Sequence, residues 1–289
     1  NGYAVTLIER NEKLGKKLYL TGKGRCNVTN TAGRDEFFQN VFRNARFLYG
    51  ALSRFDHDDI AALLTSTGLA LKTERGGRVF PWSDRSGDVL AALMKEAREL
   101  GAVFRTRTTV RSVALGEAGF LVEADEGQYR SSALVLATGG LSMRRTGSTG
   151  DGFLFAESLG HTVTPLRPSL VPLVTGDTWP GEIAGLSLRN VRLTARPAGS
   201  RVHRFGEMLF THQGIGGPIV LEVSRFLTDP LHSGEGPIPA EIDLKPALDE
   251  RQLDARLLRE IDQGPRRALG SVLDTLMPRS LADVFSSRF

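Results

Sequence analysis

The sequence predicts an α/β protein of two domains, and three observations support this prediction. The chain has 289 residues, which is long for a single domain. A short, largely apolar run, Ala4–Ile8, predicts one buried strand, and apolar residues at helical spacing predict an amphipathic helix over Ser86–Leu100. From about Thr162 prolines become frequent and apolar residues alternate with polar ones, which is typical of a β-barrel or sandwich. We therefore expect a domain boundary near Pro165.

The other elements follow from local patterns along the chain. Phenylalanines at helical spacing predict that Arg34–Gly68 is mainly helical, and the apolar run Ser132–Ala137 predicts a buried strand. Asp151–Leu159 begins at a glycine-flanked acid and predicts another helix. The remaining expectations are strands at Gly2–Ile8, Val103–Val113, Phe120–Ala124 and Leu186–Leu193, an extended segment at Arg75–Trp82, a strand or helix start at Pro218–Leu221, and a helical tail from Leu248.

Composition excludes several classes of protein. Hydrophobic residues make up 40% of the chain and charged residues 24%, as in ordinary globular proteins, and no apolar run approaches the roughly 20 residues that span a bilayer. We therefore expect no membrane partner.

Cys26 is the only cysteine, so an internal disulfide is excluded and a reducing, cytoplasmic compartment is expected. The five histidines show no ligand spacing, so we expect no metal site. A net charge of +4 permits an anionic partner without requiring one.

An acid follows the first predicted strand directly. Glu9 stands at the end of Ala4–Ile8, where a carboxylate can accept hydrogen bonds from the two hydroxyls of a ribose. The alternative is a surface acid that merely ends a strand. A dinucleotide-binding fold also has an earlier strand and a glycine-rich turn, and neither precedes Glu9 in this sequence. We therefore expect the given chain to lack the N-terminal part of such a domain.

A glycine-rich basic loop, Thr21–Asn27, follows the first strand. Gly22 and Gly24 allow backbone N–H groups to approach an anion, and Arg25 adds a fixed positive charge. Such a loop suits the phosphates of a nucleotide. Together with Glu9, it predicts half of a dinucleotide site.

Five longer motifs occur in the order in which one family has them. They are GKKLYLTGKGRCNVTN (Gly15–Asn30), GRVFPWSDRSGDV (Gly77–Val89), ATGGLS (Ala137–Ser142), TGSTGDGF (Thr146–Phe153) and GEMLFTHQGIGGP (Gly206–Pro218). The sequence resembles the HI0933-like flavoproteins, also called the aminoacetone-oxidase-like or BaiN/RdsA family of FAD-dependent oxidoreductases. The resemblance covers nearly the whole chain, and GRCNVTN is its most specific motif.

The resemblance implies a particular fold. It is a Rossmann-like FAD-binding domain of the two-dinucleotide-binding-domain type, with an inserted β-barrel that carries a helical subdomain. The FAD-binding domain would cover residues 1–165, the barrel about 166–247 and the helices about 248–289. The family pattern also includes a GxGxxG-type turn before residue 1 and a C-terminal segment that returns to the flavin. Neither is in the given sequence, so the start of the pyrophosphate-binding helix and the loop that closes over the ring are expected to be missing.

The resemblance also implies a set of cofactor contacts. Glu9 would bind the adenosine ribose and Arg10 would flank the adenine, although a solvated arginine is an equal alternative. Lys16 and Lys17 lie where the family places FAD contacts and could neutralise part of the pyrophosphate charge, or could simply be solvated. The full set of expected FAD contacts is Glu9, Arg10, Lys16, Lys17, Gly22, Gly24, Arg25, Cys26, Asn27, Val110, Thr138, Gly139, Gly140 and Asp151.

Several of these residues have a structural alternative. Val110 would pass the adenine by resemblance, whereas its residue type alone favours an ordinary core valine. Thr138-Gly139-Gly140 matches the second glycine signature of such flavoproteins, but strands often end at glycine. Asp151 could reach hydroxyls of the cofactor or cap the helix that follows it. Cys26 is expected to be a small packed residue, because no second cysteine is present to form a redox disulfide. Asn27 could offer a donor and an acceptor to a flavin edge.

The function that the resemblance implies is that of an FAD-dependent oxidoreductase, with NADH or NADPH as the expected electron donor. Family members have been linked to reducing a carbon–carbon double bond in steroid-like small molecules or in a uridine of ribosomal RNA, and the positive net charge favours RNA slightly. The alternatives are an amine or ketone oxidase and a non-catalytic flavin- or nucleotide-binding module. His212 is the catalytic candidate, as a proton donor that faces the substrate, although a lone histidine in a loop is more often structural. Substrate identity, the choice of nicotinamide and the oligomeric state do not follow from the sequence.

Overall fold

The computed structural model describes residues 2–197, 199–263 and 267–288. The chain forms two compact units, Asn1–Thr164 and Pro165–Phe289. The helices of the first unit are α1 (Arg34–Asn40), α2 (Tyr49–Leu52), α3 (His57–Ser66), α4 (Ser86–Glu99) and α5 (Asp151–Ser158). Its strands are β1 (Thr6–Ile8), β2 (Thr29–Asn30), β3 (Leu71–Glu74), β4 (Arg78–Pro81), β5 (Val103–Arg105), β6 (Val110–Gly116), β7 (Gly119–Ala124) and β8 (Gly127–Ser131).

Three small sheets organise the first unit. β1 pairs with β5 in parallel, with Thr6 opposite Val103 and Ile8 opposite Arg105. A parallel pair needs a crossover connection, and α4 lies in the segment that joins these two strands. The other two sheets are antiparallel, in the orders β2-β4-β3 and β6-β7-β8. The mixed α/β content and the parallel pair agree with the predicted dinucleotide-binding domain.

The core of the first unit explains why its helices form where they do. Cys26, Leu64, Val89 and Ala92 pack together, and the apolar spacing along α4 brings Val89 and Ala92 to one face. The helical prediction for residues 34–68 is correct in type, but the helix is broken into α1, α2 and α3. Asp56 begins α3 by accepting hydrogen bonds from the backbone of Asp58 and Asp59 in a capping box.

The predicted buried strand at Ser132–Ala137 is wrong. The structure assigns no strand there, and Val135 is 85% exposed. A strand is held by hydrogen bonds to a neighbour, but within the described part of the chain the parallel sheet consists of β1 and β5 only. With no strand beside it, the apolar sequence of Ser132–Ala137 has no regular secondary structure and stays largely exposed.

The second unit is a sheet covered by helices. Its helices are α6 (Trp179–Glu182), α7 (Pro218–His232), α8 (Glu250–Asp262), α9 (Leu269–Leu273) and α10 (Arg279–Arg288). Its strands are β9 (Leu173–Val174), β10 (Ser187–Ala195), β11 (Val202–Thr211), β12 (Gly214–Gly216) and β13 (Ala240–Asp243). The segment Pro218–Leu221 is therefore a helix start, and the tail after Leu248 is helical as predicted.

The sheet of the second unit is antiparallel and open. Its order is β13-β10-β11-β12-β9, so in the residues that the structure describes β13 and β9 are its edges and no closed barrel forms. α7 packs against β11 and β10. The core between them is fully buried at Leu193, Val220 and Val223. Of the helices in the described ranges, each is too short or too polar to cross a membrane.

Candidate functional site

The carboxyl end of β1 holds the first expected contact, Glu9. The Glu9 N–H donates to the carbonyl of Arg105 at 2.8 Å, and the Thr108 N–H donates to the carbonyl of Glu9 at 3.1 Å. The Glu9 side chain accepts two hydrogen bonds at Oε1, from the backbone N–H and the side-chain amide of Asn11, each at 2.7 Å. Its other oxygen, Oε2, has no hydrogen-bond partner among the described residues. One carboxylate oxygen is therefore oriented by the protein and the other can accept from a ligand.

Arg10 connects the end of β1 to the loop before α5. Its Nη1 donates to Thr149 Oγ1 at 2.7 Å and to Asp151 Oδ2 at 3.0 Å. The Thr149 hydroxyl donates to Asp151 Oδ1 at 2.8 Å. Asp151 is the first residue of α5, whose N-cap is Gly150 with no side-chain capping bond. The helix-cap alternative for Asp151 is therefore not realised, because its carboxylate is bonded to Arg10 and Thr149.

The two lysines connect the same segments. Lys16 Nζ donates to Asn11 Oδ1 at 2.8 Å, and Lys17 Nζ donates to the carbonyl of Ser142 at 3.0 Å. The Asn11 amide also donates to the carbonyl of Thr146 at 3.0 Å. Each ammonium has three N–H donors, so both lysines keep donor capacity for an anion. These bonds bring residues 9–17 and 142–151 into one cluster, which we call the strand-end cluster.

Glycines allow close backbone packing in this cluster. A Cβ on Gly139 would lie 2.6 Å from Ser148 Oγ, and a Cβ on Gly152 would overlap Thr138 Oγ1. Gly140 has open space where its Cβ would lie. Thr138 and Gly139 therefore pack directly against the loop at the start of α5, so the two expected glycine motifs meet. Because Gly140 has no side chain, other atoms can approach its backbone closely.

The Arg25 side chain is directed at the hairpin of β3 and β4. Its guanidinium pairs with Glu74, donates from Nε to Asp84 Oδ1 at 2.7 Å, and lies 4.1 Å from the centroid of the Phe80 ring. Lys72 Nζ pairs with the same Asp84 at 2.6 Å. The hydrogen bond with Glu74 is the main cause that raises the pKa of Arg25, and the same bond lowers the pKa of Glu74. Lys72, followed by Arg25, lowers the pKa of Asp84. Two carboxylates of the protein therefore pair with the charge of Arg25, whose side chain is 32% exposed.

Cys26 and Asn27 are also bonded or packed within the protein. Cys26 is 5% exposed in the core of the first unit, and its backbone φ is +61°. With its side-chain amide oriented to satisfy these acceptors, the nitrogen of Asn27 donates to the carbonyl of Val79 at 3.3 Å and to that of Thr29 at 3.1 Å. These side chains hold the loop in place. Gly22, Lys23 and Asn27 are exposed, whereas Cys26 is buried.

Two further expected residues, Val110 and His212, are not among the residues whose hydrogen bonds form the strand-end cluster. Val110 begins β6, is half-buried and pairs with Ala124 in the antiparallel meander. His212 lies in the second unit, exposed in the turn between β11 and β12. In the described residues no hydrogen bond or ion pair involves its side chain. Its environment therefore neither orients nor shields the imidazole.

Sequence reasoning missed the residues that hold the strand-end cluster together, namely Asn11, Thr146 and Thr149. Asn11 follows Glu9 by two residues and Thr149 precedes Asp151 by two, which is the spacing at which short polar side chains bond locally. That spacing in the sequence could have indicated the local bonds. No feature of the sequence indicates the long-range bonds, such as that from Asn11 to Thr146 across 135 residues. In the described part of the chain, no group of three His, Cys, Asp or Glu side chains could hold a metal.

The chain is similar in sequence to one protein family and to several curated proteins. The family model for the HI0933-like protein Rossmann domain matches residues 1–233. The 3-dehydro-bile acid delta(4,6)-reductase of Clostridium scindens is 30% identical over 96% of this chain and 67% of its own length. The ribosomal RNA dihydrouridine synthase of Escherichia coli is 32% identical over 98% of this chain and 67% of its own. That of Haemophilus influenzae is 29% identical over 98% and 68%. The chain spans about two thirds of each relative.

One solved structure is distantly similar to the chain. The open conformation of a flavocytochrome c3 fumarate reductase has a TM-score of 0.41 and 17% identity, over 65% of this chain and 43% of that one. The family model and the curated relatives, in contrast, match most of the chain in sequence. Because that model covers most of the chain, and two of those relatives are at least 30% identical over nearly all of it, the chain belongs to the HI0933-like family of flavin-dependent oxidoreductases.

Proposed function

We propose that the protein is an FAD-dependent reductase of a carbon–carbon double bond, with NADH or NADPH as the electron donor. The observation that carries the proposal is shared chemistry among relatives with different substrates. One relative is a delta(4,6)-reductase of a bile acid, and the others make dihydrouridine in ribosomal RNA. Both activities saturate a carbon–carbon double bond. The common step, rather than either substrate, is what this chain is expected to retain.

The strand-end cluster has groups that suit the adenosine and pyrophosphate parts of FAD. The free Oε2 of Glu9 would accept hydrogen bonds from the ribose hydroxyls. Lys16 and Lys17 would donate to the pyrophosphate, and the backbone at Gly139 and Gly140 would allow close approach. FAD supplies the hydride-transfer chemistry when it is bound. The protein's part is to bind, orient and shield that group.

Of the remaining expected residues, some would contact FAD and others would hold the neighbouring loops in place. Arg10 and Asp151 would hold the loop before α5 against the end of β1, and Arg10 would also flank the adenine near Val110. The exposed backbone at Gly22 would contact the cofactor, whereas the side chains of Arg25, Cys26 and Asn27 would support the loop. Support for this division comes from the bonds of Arg25 and Asn27 and from the burial of Cys26. Gly24 and Thr138 would act through backbone geometry and packing.

We also propose that the second unit is the inserted domain, with the sheet over about 166–247 and helices over about 248–289. Its antiparallel five-stranded sheet, followed by α8, α9 and α10, supports this arrangement. His212 would offer its exposed imidazole to a substrate as a proton donor. The substrate would be either a small unsaturated molecule or ribosomal RNA. A reducing, cytoplasmic compartment fits the single, buried cysteine.

An optical experiment tests the cofactor and the donor. The purified protein, loaded with FAD, should show a flavin spectrum that NADH or NADPH bleaches in the absence of oxygen. A protein that takes up no flavin would contradict the proposal. A flavin bleached by amines but by neither nicotinamide would favour the oxidase alternative, and one that no reductant bleaches would favour a non-catalytic module.

A second experiment separates the two substrate classes. Mass spectrometry of ribosomal RNA from a strain that lacks the gene should show the loss of one dihydrouridine if the substrate is RNA. Re-expression of the intact gene should restore it. Unchanged dihydrouridine would remove the RNA version and leave an unsaturated small molecule as the substrate.

A further inference from the structure

The loop from Gly22 to Cys26 has a strained backbone. Four of its five residues have positive φ angles, namely Gly22 at +55°, Lys23 at +59°, Gly24 at +88° and Cys26 at +61°. Lys23 and Cys26 carry a Cβ, for which this left-handed region is unfavourable. Such a conformation persists only where the surrounding structure holds it, and strain of this kind is concentrated at functional sites. Something must therefore fix this loop.

The charged side chains around Arg25 are suited to fix it. Arg25 is the member of the loop with a negative φ, −92°, and its guanidinium forms a fork with Glu74 on β3. Its Nε bonds to Asp84, which Lys72 also contacts. We call Arg25, Lys72, Glu74 and Asp84 the Arg25 clamp. Its two cations and two anions balance, so it presents no excess charge to a ligand.

The ring of Phe80 lies next to both Arg25 of the clamp and Gly22 of the loop. The guanidinium of Arg25 lies 4.1 Å from the centroid of this ring. A Cβ on Gly22 would lie 3.1 Å from Phe80 Cε1 and 2.9 Å from the backbone nitrogen of Asn27. The loop backbone is therefore pressed against the same ring that the guanidinium covers. Release of the guanidinium would free both the ring and the loop.

We propose that Arg25 is a positioning residue, which fixes the backbone of Gly22–Cys26 for contact with the cofactor and does not itself neutralise a cofactor anion. This inference rests on the proposed function, because it names FAD as the group that the loop contacts. Three of the five guanidinium N–H donors already bond to carboxylates, and the side chain is 32% exposed. The role of Arg25 is thus geometric.

Cys26 provides a probe of the loop that does not depend on flavin. It is the only cysteine in the sequence and is buried, so a thiol reagent reaches it only when the loop opens or the first unit unfolds. We expect Arg25→Met to raise the rate of labelling by dithiodipyridine about tenfold or more and to weaken FAD binding by a similar factor. Arg25→Lys should restore little of either, because an ammonium cannot form the fork.

Matched variants separate positioning from a general loss of stability. Arg196→Met removes an arginine that pairs with Glu241 at 3.0 Å in the second unit, and it should change neither labelling nor FAD affinity. The double variant Glu74→Gln, Asp84→Asn keeps side-chain shape but removes the anions of the clamp, and it should reproduce the effects of Arg25→Met. Urea unfolding of each variant measures the change in the free energy of unfolding. If the loop opens locally, the labelling rate rises by more than that change predicts.

The outcomes distinguish this inference from the proposed function. If the unsubstituted protein does not bind FAD, the proposed function fails and the positioning role fails with it. If it binds FAD and Arg25→Met weakens binding without faster labelling, Arg25 contacts the cofactor directly and the inference is overturned. Faster labelling with unchanged FAD affinity would also overturn it, since the loop would then lie outside the cofactor site. Both effects together support it.

Discussion

Arg10 and Asp151 are separated by 141 residues in the sequence, yet Nη1 of Arg10 lies 3.0 Å from Oδ2 of Asp151. The pair joins the end of β1 to the first residue of α5. Both side chains are more than a third exposed, at 37% and 36%, so solvent screens their attraction and the stabilisation is small. The pair mainly orients the loop before α5, because the same arginine nitrogen also donates a hydrogen bond to Thr149 in that loop.

Removal of this pair should affect ligand binding more than folding. We expect Arg10→Met to lower FAD affinity several-fold, because the loop before α5 loses both bonds to Arg10, and to lower the free energy of unfolding by less than about 1 kcal/mol. FAD titration and urea unfolding measure the two effects. Arg196→Met is the control, since Arg196 forms an exposed pair with Glu241 at 3.0 Å in the second unit. Equal losses of affinity in both variants would show that net charge, and not the Arg10 geometry, matters.

The contact between Gly152 and Thr138 leads to a packing prediction. A Cβ at Gly152 would overlap Thr138 Oγ1, so Gly152→Ala should lower the free energy of unfolding by about 1–3 kcal/mol. Thr138→Ala removes the overlapping oxygen, so the double variant should recover much of the loss. Gly50→Ala is the control, since no atom lies within 4 Å of its Cβ and α2 gains helix propensity. Additive losses in the double variant would contradict the proposed contact.

The sequence was sufficient where an element depends on its own pattern. The helix expected over Ser86–Leu100 forms as α4, because its apolar spacing brings Val89 and Ala92 to one buried face. The glycine-flanked acid Asp151 likewise predicted the start of α5. Of the site, the convergence of Glu9, the lysines and Asp151 was expected only through the family resemblance.

The rest depended on partners that local patterns do not specify. Arg25 was expected to contact a cofactor anion, and in the structure its guanidinium also bonds Glu74 and Asp84, which lie 49 and 59 residues further along the chain. Ser132–Ala137 has the composition of a buried strand, but a strand needs a neighbour with which to share hydrogen bonds. In both cases residues far apart in the sequence determine the local environment, and no local pattern specifies those contacts.

Lys17 provides a test of the anion-binding part of the site. Its Nζ is fixed by the carbonyl of Ser142 at 3.0 Å and keeps donors for a pyrophosphate, so Lys17→Met should weaken FAD binding about tenfold. The effect should shrink at high salt if part of it is electrostatic. Lys95→Met removes an exposed lysine of α4, which lies outside the strand-end cluster and pairs with Glu99 at 3.9 Å, and it should have little effect. Equal effects of the two variants would argue that only net charge matters.

The pH dependence of stability should be set by carboxylates of the first unit. Four of them have a pKa below its usual value, and in each the main cause is a hydrogen bond to the ionised form. They are Asp56, bonded by the Asp58 backbone, Glu74 by Arg25, Asp84 by Lys72, and Asp125 by Arg111. A carboxylate whose pKa is lower in the folded state stabilises the fold when ionised. This stabilisation is complete above the unfolded values, 3.8 for Asp and 4.5 for Glu, and is lost as the pH falls through the lower folded values.

The first unit should therefore keep constant stability from neutral pH down to about pH 5 and lose it below that. The urea midpoint, read by pulse labelling of the buried Cys26, measures this loss, with the urea-unfolded chain at each pH as the reference for thiol reactivity. Asp56→Asn keeps the capping geometry of α3 but cannot ionise, so its midpoint should lie below that of the unsubstituted protein at neutral pH and approach it in acid. A difference that stays the same across this range would show that ionisation of Asp56 does not stabilise α3.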